Sequence, residues 1–222
     1  MSSEGFKYGS SVIRRNLLDD RCLLFFIKNP QKGQVKTRLA SAIGDEAAVR
    51  LYKRFLLEML STLNKGTFLF YLCVYPVDAF EGFRTWLGQD YLYMPQQGEN
   101  LGERMKNGFI EALAMNFKRV VLIGSDIPSL PLEFIEEAFI SLEKKDAVIG
   151  PSLDGGYYLI GFRDKKFSPR AFKKIPWSTE RVFGETMKVL EDEGLTVHTL
   201  KTLRDIDTIQ DLRDRHKSNL HD

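Results

Sequence analysis

Arg119-Val120-Val121-Leu122-Ile123-Gly124-Ser125-Asp126-Ile127-Pro128 is a continuous apolar run that stops on glycine, serine and aspartate and then turns at a proline. A strand covered on one face alternates apolar with polar residues. A run without alternation is a strand buried on both faces, as in a parallel sheet layered between helices. In such sheets ligands sit outside the carboxyl ends of the strands, where the loops diverge. Asp126 therefore stands at the kind of position where a site is expected.

The same reading extends along the chain. Short apolar runs at 22–27, 67–75, 91–94, 147–150, 157–161 and 196–200 join 119–124 as predicted strands. Between them the period changes to that of a helix. Ala48, Leu51, Phe55, Met59 and Leu63 form one stripe over 45–63, and Leu101, Met105, Phe109, Ala112, Leu113 and Phe117 form a second. Leu132, Ile135, Ala138, Phe139 and Leu142 form a third, and a fourth runs over 179–193. Strands alternating with helices predict an α/β sandwich around a mostly parallel sheet.

The chain has 222 residues, 43% hydrophobic and 28% charged, and a formal net charge of +2. That is an ordinary composition for one soluble domain, expected over 21–222 with 1–20 as an N-terminal extension. So small a positive balance gives no nucleic-acid platform. No apolar stretch has membrane-spanning length and no signal-peptide segment is visible. Cys22 and Cys73 lie in apolar runs, as buried reduced thiols do, so a cytoplasmic protein is expected. The histidines His198, His216 and His221 lack zinc-ligand spacing. The stretch 163–177, with six basic residues and two prolines, reads as a flap beside a site or a solvated loop. Nothing in the sequence sets the oligomeric state.

Chemistry gathers at the expected strand ends. After the first strand, Lys28, Lys32, Lys36 and Arg38 fall within eleven residues together with Pro30 and Gly33. Such a loop can wrap a polyphosphate, lysine acting as a point charge and arginine as a two-pronged donor. It has neither the P-loop nor the dinucleotide glycine spacing. Late in the chain Asp205 and Asp207 share a face of an extended segment, and Thr208 with Asp211 reads as a helix cap. Asp126 and Asp207 are then placed to converge on one Mg²⁺ or Mn²⁺, since such ions need only one or two carboxylates besides substrate phosphates. Asp154, with Gly155 and Gly156, could meet sugar hydroxyls or an acceptor, or simply turn a hairpin. Gln97, Gly98 and Arg104 could read a base edge or a phosphate. Trp177 could stack on a ring or pack.

Taken together, Lys36-Thr37-Arg38-Leu39, the segment 97–105, Gly124-Ser125-Asp126-Ile127-Pro128, the segment 151–161 and Asp205-Ile206-Asp207-Thr208 resemble a bacterial family. It is the nucleotide-diphospho-sugar transferase family, also called radical-SAM/selenodomain-associated transferases. The resemblance covers roughly 22–215. It implies a glycosyltransferase-A-like, three-layer α/β/α sandwich with a mostly parallel mixed sheet. More distantly the chain is similar to phospholactate guanylyltransferase, the molybdopterin guanylyltransferase and CMP-KDO synthetase. By that likeness Asp126 and Asp207 are metal ligands, and Lys36 and Arg38 lie near phosphates. One departure is that Ile127 and Pro128 stand where metal-dependent glycosyltransferases carry the rest of an Asp-x-Asp.

The leading expectation is transfer of a sugar from a nucleotide-sugar to a small acceptor, with Asp126, Asp154 and Lys36 as the catalytic set. Lys28, Lys36, Arg38, Gln97, Gly98, Arg104, Gly155, Gly156 and Trp177 are the expected substrate contacts. The alternatives are nucleotidyl transfer from a triphosphate to a phosphorylated acceptor, and a nucleotide-binding module without turnover.

Overall fold

The computed structural model describes residues 19–218. Its centre is a seven-stranded sheet in the order β3-β2-β1-β4-β6-β5-β7. The strands are β1 (Arg21–Lys28), β2 (Leu69–Tyr75), β3 (Leu92–Pro95), β4 (Arg119–Ile123), β5 (Ala147–Pro151), β6 (Tyr157–Arg163) and β7 (Val197–Thr199). β6 pairs antiparallel with both β4 and β5, and the remaining pairs are parallel. The mostly parallel mixed sheet expected from the sequence is present.

The α-helices are α1 (Thr37–Ile43), α2 (Asp45–Leu63), α3 (Phe80–Leu87), α4 (Leu101–Ala114), α5 (Leu132–Ser141), α6 (Val182–Asp192) and α7 (Ile209–Ser218). β1 shows why two helical layers are needed. Leu23, Phe25 and Ile27 enter one core with Tyr52, Leu56, Met59, Ile135 and Phe139 from α2 and α5. Cys22, Leu24 and Phe26 enter the opposite core with Met105 and Phe109 of α4 and Leu190 of α6. Each fully buried large side chain contributes about 1.5–3 kcal/mol of transfer free energy, so period-2 division of β1 between both faces fixes its register firmly. Cys22 and Cys73 are buried free thiols.

A third, small core of Leu39, Leu51, Phe55 and Ile206 joins α1, α2 and the segment before α7. It seats Ile206 between two part-buried aspartates, Asp205 and Asp207. The segment is also tied by its backbone: Leu203 N donates to Pro151 O at 3.1 Å, and Ile206 N to Asp126 O at 2.9 Å. The Thr208 cap is as read, because Asp211 Oδ2 accepts from Thr208 N at 2.9 Å and from Thr208 Oγ1 at 2.6 Å.

Three expectations change. The stretch from Lys36 to Leu39 is not all loop, because helix α1 begins at Thr37, with Lys36 before it at φ 47° and ψ 45°. The fourth predicted helix starts at Val182 rather than Thr179, after a turn. The stretch 163–177 is neither a flap nor merely solvated: Ala171, Phe172 and Ile175 are buried, and Phe167 stacks on Phe109 with ring centroids 5.4 Å apart. Of the expected N-terminal extension, residues 1–18 lie outside the described residues. Asp20 belongs to the sheet end, its carbonyl accepting from Lys118 N at 2.7 Å. Among the described residues, no helix is long and apolar enough to cross a membrane.

Candidate active site

Strand order reverses at β1. The chain passes from β1 to β2 and β3 on one side, then returns to place β4 on the other. Loops after β1 and β4 therefore diverge, and a cavity of about 660 Å³ opens there. Lys28, Lys36, Arg38, Arg104, Asp126, Asp154, Gly156, Trp177 and Asp207 all line it.

Lys36 is its centre. The left-handed backbone ahead of α1, together with the Leu39–Ile206 contact, sends its side chain inward, where it is only 3% exposed. Its ammonium donates to Asp126 Oδ1, to Ile206 O at 2.7 Å and to Asp207 Oδ1 at 2.9 Å. Burial disfavours this charge, but Asp126 and Asp207 outweigh it and hold the ammonium well above its ordinary pKa. Asp126 and Asp207 are themselves 56% and 35% exposed, so their other oxygens face the cavity.

Three oxygens, from Asp126, Asp207 and Ile206, thus converge on one positive point. Hard oxygen donors of this kind suit Mg²⁺ or Mn²⁺ as well as an ammonium. Among the described residues, no cluster of three or more His, Cys, Asp or Glu side chains has metal-site geometry. An ion held here would accordingly draw its remaining ligands from water and substrate phosphates.

Asp205 faces the same cavity. Burial, joined by the like charges of Asp154, Asp207 and Asp126, pushes its carboxyl from 3.8 up to about 6. A carboxyl raised on folding favours the folded state below its ordinary pKa, and that advantage is lost as pH rises through about 6. A shift of this size corresponds to about 3 kcal/mol, discounted to about 1 kcal/mol for a partly exposed group. Asp205→Asn is therefore expected to raise Tm by about 2–4 °C near pH 7.5 and to leave it unchanged near pH 4. Circular-dichroism melts would read this, and an equal gain at both pH values would refute it.

The other cations divide. Lys32 is committed to Glu46 at 2.6 Å on the exterior. Lys28 and Arg38 have no ion pair among the described residues and are free to meet an anion. Asp154 accepts from Gly156 N at 2.9 Å and from Ser152 Oγ, so it both closes the β5–β6 turn and borders the cavity. Trp177 packs against Gly102, where an added Cβ would lie 2.6 Å from the indole nitrogen, and meets Tyr157 edge-on. It packs and borders the cavity at once.

Three expected contacts lie elsewhere. Gln97 and Gly98 are outside the lining: Gln97 is exposed and its carbonyl accepts from Asn107 Nδ2 at 3.0 Å. A Cβ on Gly98 would meet Glu103 Cβ at 2.7 Å, so that glycine serves the close entry into α4. Gly155, at φ 86°, is pressed against Glu180, whose carbonyl oxygen would stand 2.1 Å from a Cβ. It shapes the turn behind Asp154 without touching the cavity.

Two site residues escaped the sequence reading. Gln96, not Gln97, lines the cavity, its amide donating to Cys73 O at 2.7 Å and Ile27 O at 3.1 Å. Alternation from buried Met94 would have found it. Tyr52 on α2 joins the two strand tips: its hydroxyl accepts from Lys28 N at 3.0 Å and bonds Ser125 Oγ at 3.0 Å. Burial raises its pKa to about 12, so it stays a neutral strut.

Comparison with known proteins bears on this geometry. The family model described as an uncharacterized protein conserved in bacteria (DUF2064) matches residues 59–179. A crystal structure from Desulfovibrio desulfuricans G20, described as a "putative nucleotide-diphospho-sugar transferase", is similar at 40% identity over 91% of this chain and 88% of that one, with a TM-score of 0.88. The 4-diphosphocytidyl-2C-methyl-D-erythritol synthase of Anaerococcus prevotii DSM 20548 shares 13% identity over 91% of this chain and 99% of that one, with a TM-score of 0.59. CMP:2-keto-3-deoxy-manno-octonic acid synthetase in complex with CTP shares 9% identity over 90% and 98%, with a TM-score of 0.53. The last two show a common fold. A search of curated proteins finds no match.

Proposed function

Starting from a chain that belongs to the bacterial conserved family DUF2064, we propose that it is a transferase that takes the sugar of a nucleotide-diphospho-sugar and passes it to a small acceptor. The observation that carries this reading is the meeting of Lys36, Asp126 and Asp207 at the point where strand order reverses. The 40%-identical protein described as a "putative nucleotide-diphospho-sugar transferase" supports the same substrate class.

Asp126 and Asp207 would hold Mg²⁺ or Mn²⁺, which when bound supplies positive charge to the departing diphosphate. Arg38 donates to phosphate oxygens, and the Lys36 charge, fixed between Asp126 and Asp207, acts on them electrostatically, so negative charge that grows as the sugar–phosphate bond breaks meets positive charge at the site. The acceptor oxygen bonds to the anomeric carbon as that bond breaks. Asp154, exposed at its turn, accepts from a hydroxyl of the acceptor or the sugar and orients it. The buried thiols Cys22 and Cys73 accord with a cytoplasmic setting.

One observation favours a second reading. The strand tip bears a single carboxylate: Ile127 is buried and Pro128 follows it, so no second aspartate joins Asp126 there. The same cavity would then suit attack by a phosphorylated acceptor on the α-phosphorus of a nucleoside triphosphate, which needs positioning and charge neutralisation more than a base. Incubation with a panel of nucleotide-sugars and nucleoside triphosphates, with and without Mg²⁺ or Mn²⁺, separates the readings. Release of a nucleoside diphosphate from a nucleotide-sugar is the expected result. Pyrophosphate release from a triphosphate alone would replace it with nucleotidyl transfer. Binding without turnover, indifferent to metal, would leave a nucleotide-binding module.

A further inference from the structure

Among the described residues, the part-buried arginines have carboxylate partners. Arg21 pairs with Asp19 at 2.7 Å, Arg119 with Asp20 at 2.5 Å and Arg215 with Glu58 at 2.6 Å, and each of these side chains keeps 18–20% exposure. Arg104 is more deeply placed, at 9%, and no carboxylate of the described residues pairs with it. Its guanidinium lies over the Tyr75 ring, 4.1 Å from the centroid, and its Nε is sealed without a hydrogen-bond partner. With Nε sealed, an aromatic face on one side and no carboxylate partner, the guanidinium turns its remaining donors to the cavity, and an anion is the ligand that completes it.

The neighbouring groups do not supply one. Glu103, adjacent in sequence, is turned outward, its carboxylate accepting from Glu99 N at 3.0 Å as part of the α4 cap, in which Asn100 Oδ1 accepts from Glu103 N at 3.0 Å. The Gln96 amide nitrogen is spent on two carbonyls. Lys28 is the Cα partner of Tyr75 across the sheet and also lines the cavity without an ion pair, so this end of the cavity carries two uncommitted cations. Leu101, Met105 and Trp177 supply its apolar wall.

Position separates this end from the Lys36 centre. Tyr75 ends β2, and Asp126 follows β4, two strands away across β1. At about 4.8 Å per strand spacing, the two ends of the cavity stand roughly 10 Å apart. One phosphate cannot span them. We infer that Arg104, stacked on Tyr75, forms a second anion-binding position that receives a carboxylate or phosphate group carried by the substrate, distinct from the group met by Lys36. The inference rests on reading this cavity as a substrate site and adds that the full substrate complement bears an anionic group beyond the one at Lys36. The planar fork of arginine suits either anion in two-pronged contact.

The sealed Nε–H provides a readout free of nucleotide and of turnover. In ¹⁵N-labelled full-length protein, the Arg104 Nε–H signal is assigned by its loss in Arg104→Lys. Inorganic phosphate and malonate are then titrated in separate arms, with chloride at matched ionic strength as control. A saturable shift of that signal with phosphate or malonate, absent with chloride, is the expected result, and the arm that responds assigns the anion. Calorimetry with the responding anion should show affinity about tenfold or more weaker in Arg104→Met. In Lys36→Met the Arg104 shift should persist. An Arg104 signal unmoved by both anions, or undiminished affinity in Arg104→Met, overturns the inference. Because no nucleotide is present, either outcome stands apart from success or failure of the nucleotide panel.

Discussion

Asp126→Asn is expected to lower kcat/KM for transfer by two to three orders of magnitude, about the loss seen when one preorganised electrostatic group is removed from an active site. The substitution keeps the shape and the acceptor oxygen toward Lys36 but removes the charge facing the cavity. Structurally it should be mild. The side chain is 56% exposed, and its loop is held by main-chain groups: Ile206 N donates to Asp126 O, and Gly124 N to Tyr158 O at 3.2 Å. Tm without ligand should fall by about 2–4 °C, the equivalent of about 1 kcal/mol, because the buried Lys36 ammonium loses one of its two carboxylates while Asp207 remains. Ligand-linked stability should behave differently. In the parent protein, nucleotide with Mg²⁺ at one hundred times Kd adds about 2.7 kcal/mol, and the metal-dependent part of that gain should vanish in the variant. Steady-state kinetics beside thermal shifts, with and without metal, reads both. Activity within tenfold of the parent, or an unchanged response to metal, would remove Asp126 from the chemistry.

The aspartates were legible because their signals are local. A buried strand that runs out in Gly124-Ser125-Asp126 announces the carboxyl end of the sheet, and the Thr208–Asp211 cap marks a rigid corner beside Asp207. Strands and four long helices followed from period alone, α2 at the same bounds of 45 and 63. What was not legible depends on partners remote in the chain. Lys36 is legible as a phosphate-side cation of the catalytic set, but not as the ammonium held between the two aspartates. Its role appears only when segments 90 and 171 residues away fold against it. The short helices α1 and α3 carry too few turns for a stripe, and α1 opens on a left-handed lysine with no side-chain cap. Tyr52 is hidden for the opposite reason: it falls among the apolar residues of α2, and nothing in that pattern shows that its hydroxyl links the tips of β1 and β4. The choice between Gln96 and Gln97 was a matter of strand parity, which pleating decides. Packing constraints were therefore readable, and so was the convergence of Asp126 and Asp207 from their strand-end positions, while the burial of Lys36 between them was not.

That centre makes the second large effect the removal of its one internal cation. Lys36→Met preserves length and much of the apolar stem but leaves Asp126, Asp207 and Asp205 facing each other. Loss of one partner from a fully buried pair costs about 3–5 kcal/mol. Exposure of Asp126 and Asp207 reduces this to about 2 kcal/mol, a fall in Tm of about 4–8 °C near pH 7.5. The pH dependence follows from which charges remain. In the parent, the ammonium pKa is raised on folding, so its stabilisation is complete below its ordinary value of 10.5 and is lost only as pH climbs through the higher folded value. In the variant, repulsion among the carboxylates is relieved as they take up protons. Asp205, already raised to about 6 in the parent, is pushed further up when the lysine leaves, so the deficit should narrow as pH falls from about 7 to 5. Function should split in two directions. Nucleotide affinity should fall at least tenfold with the loss of a fixed positive charge beside the phosphates. Affinity for Mn²⁺ alone should rise, because the oxygens of Asp126, Asp207 and Ile206 no longer have an ammonium between them. Calorimetric titration of nucleotide, and of Mn²⁺ without nucleotide, measures the two separately. A variant that binds Mn²⁺ no better than the parent would show that these oxygens do not form a cation position once the lysine has left.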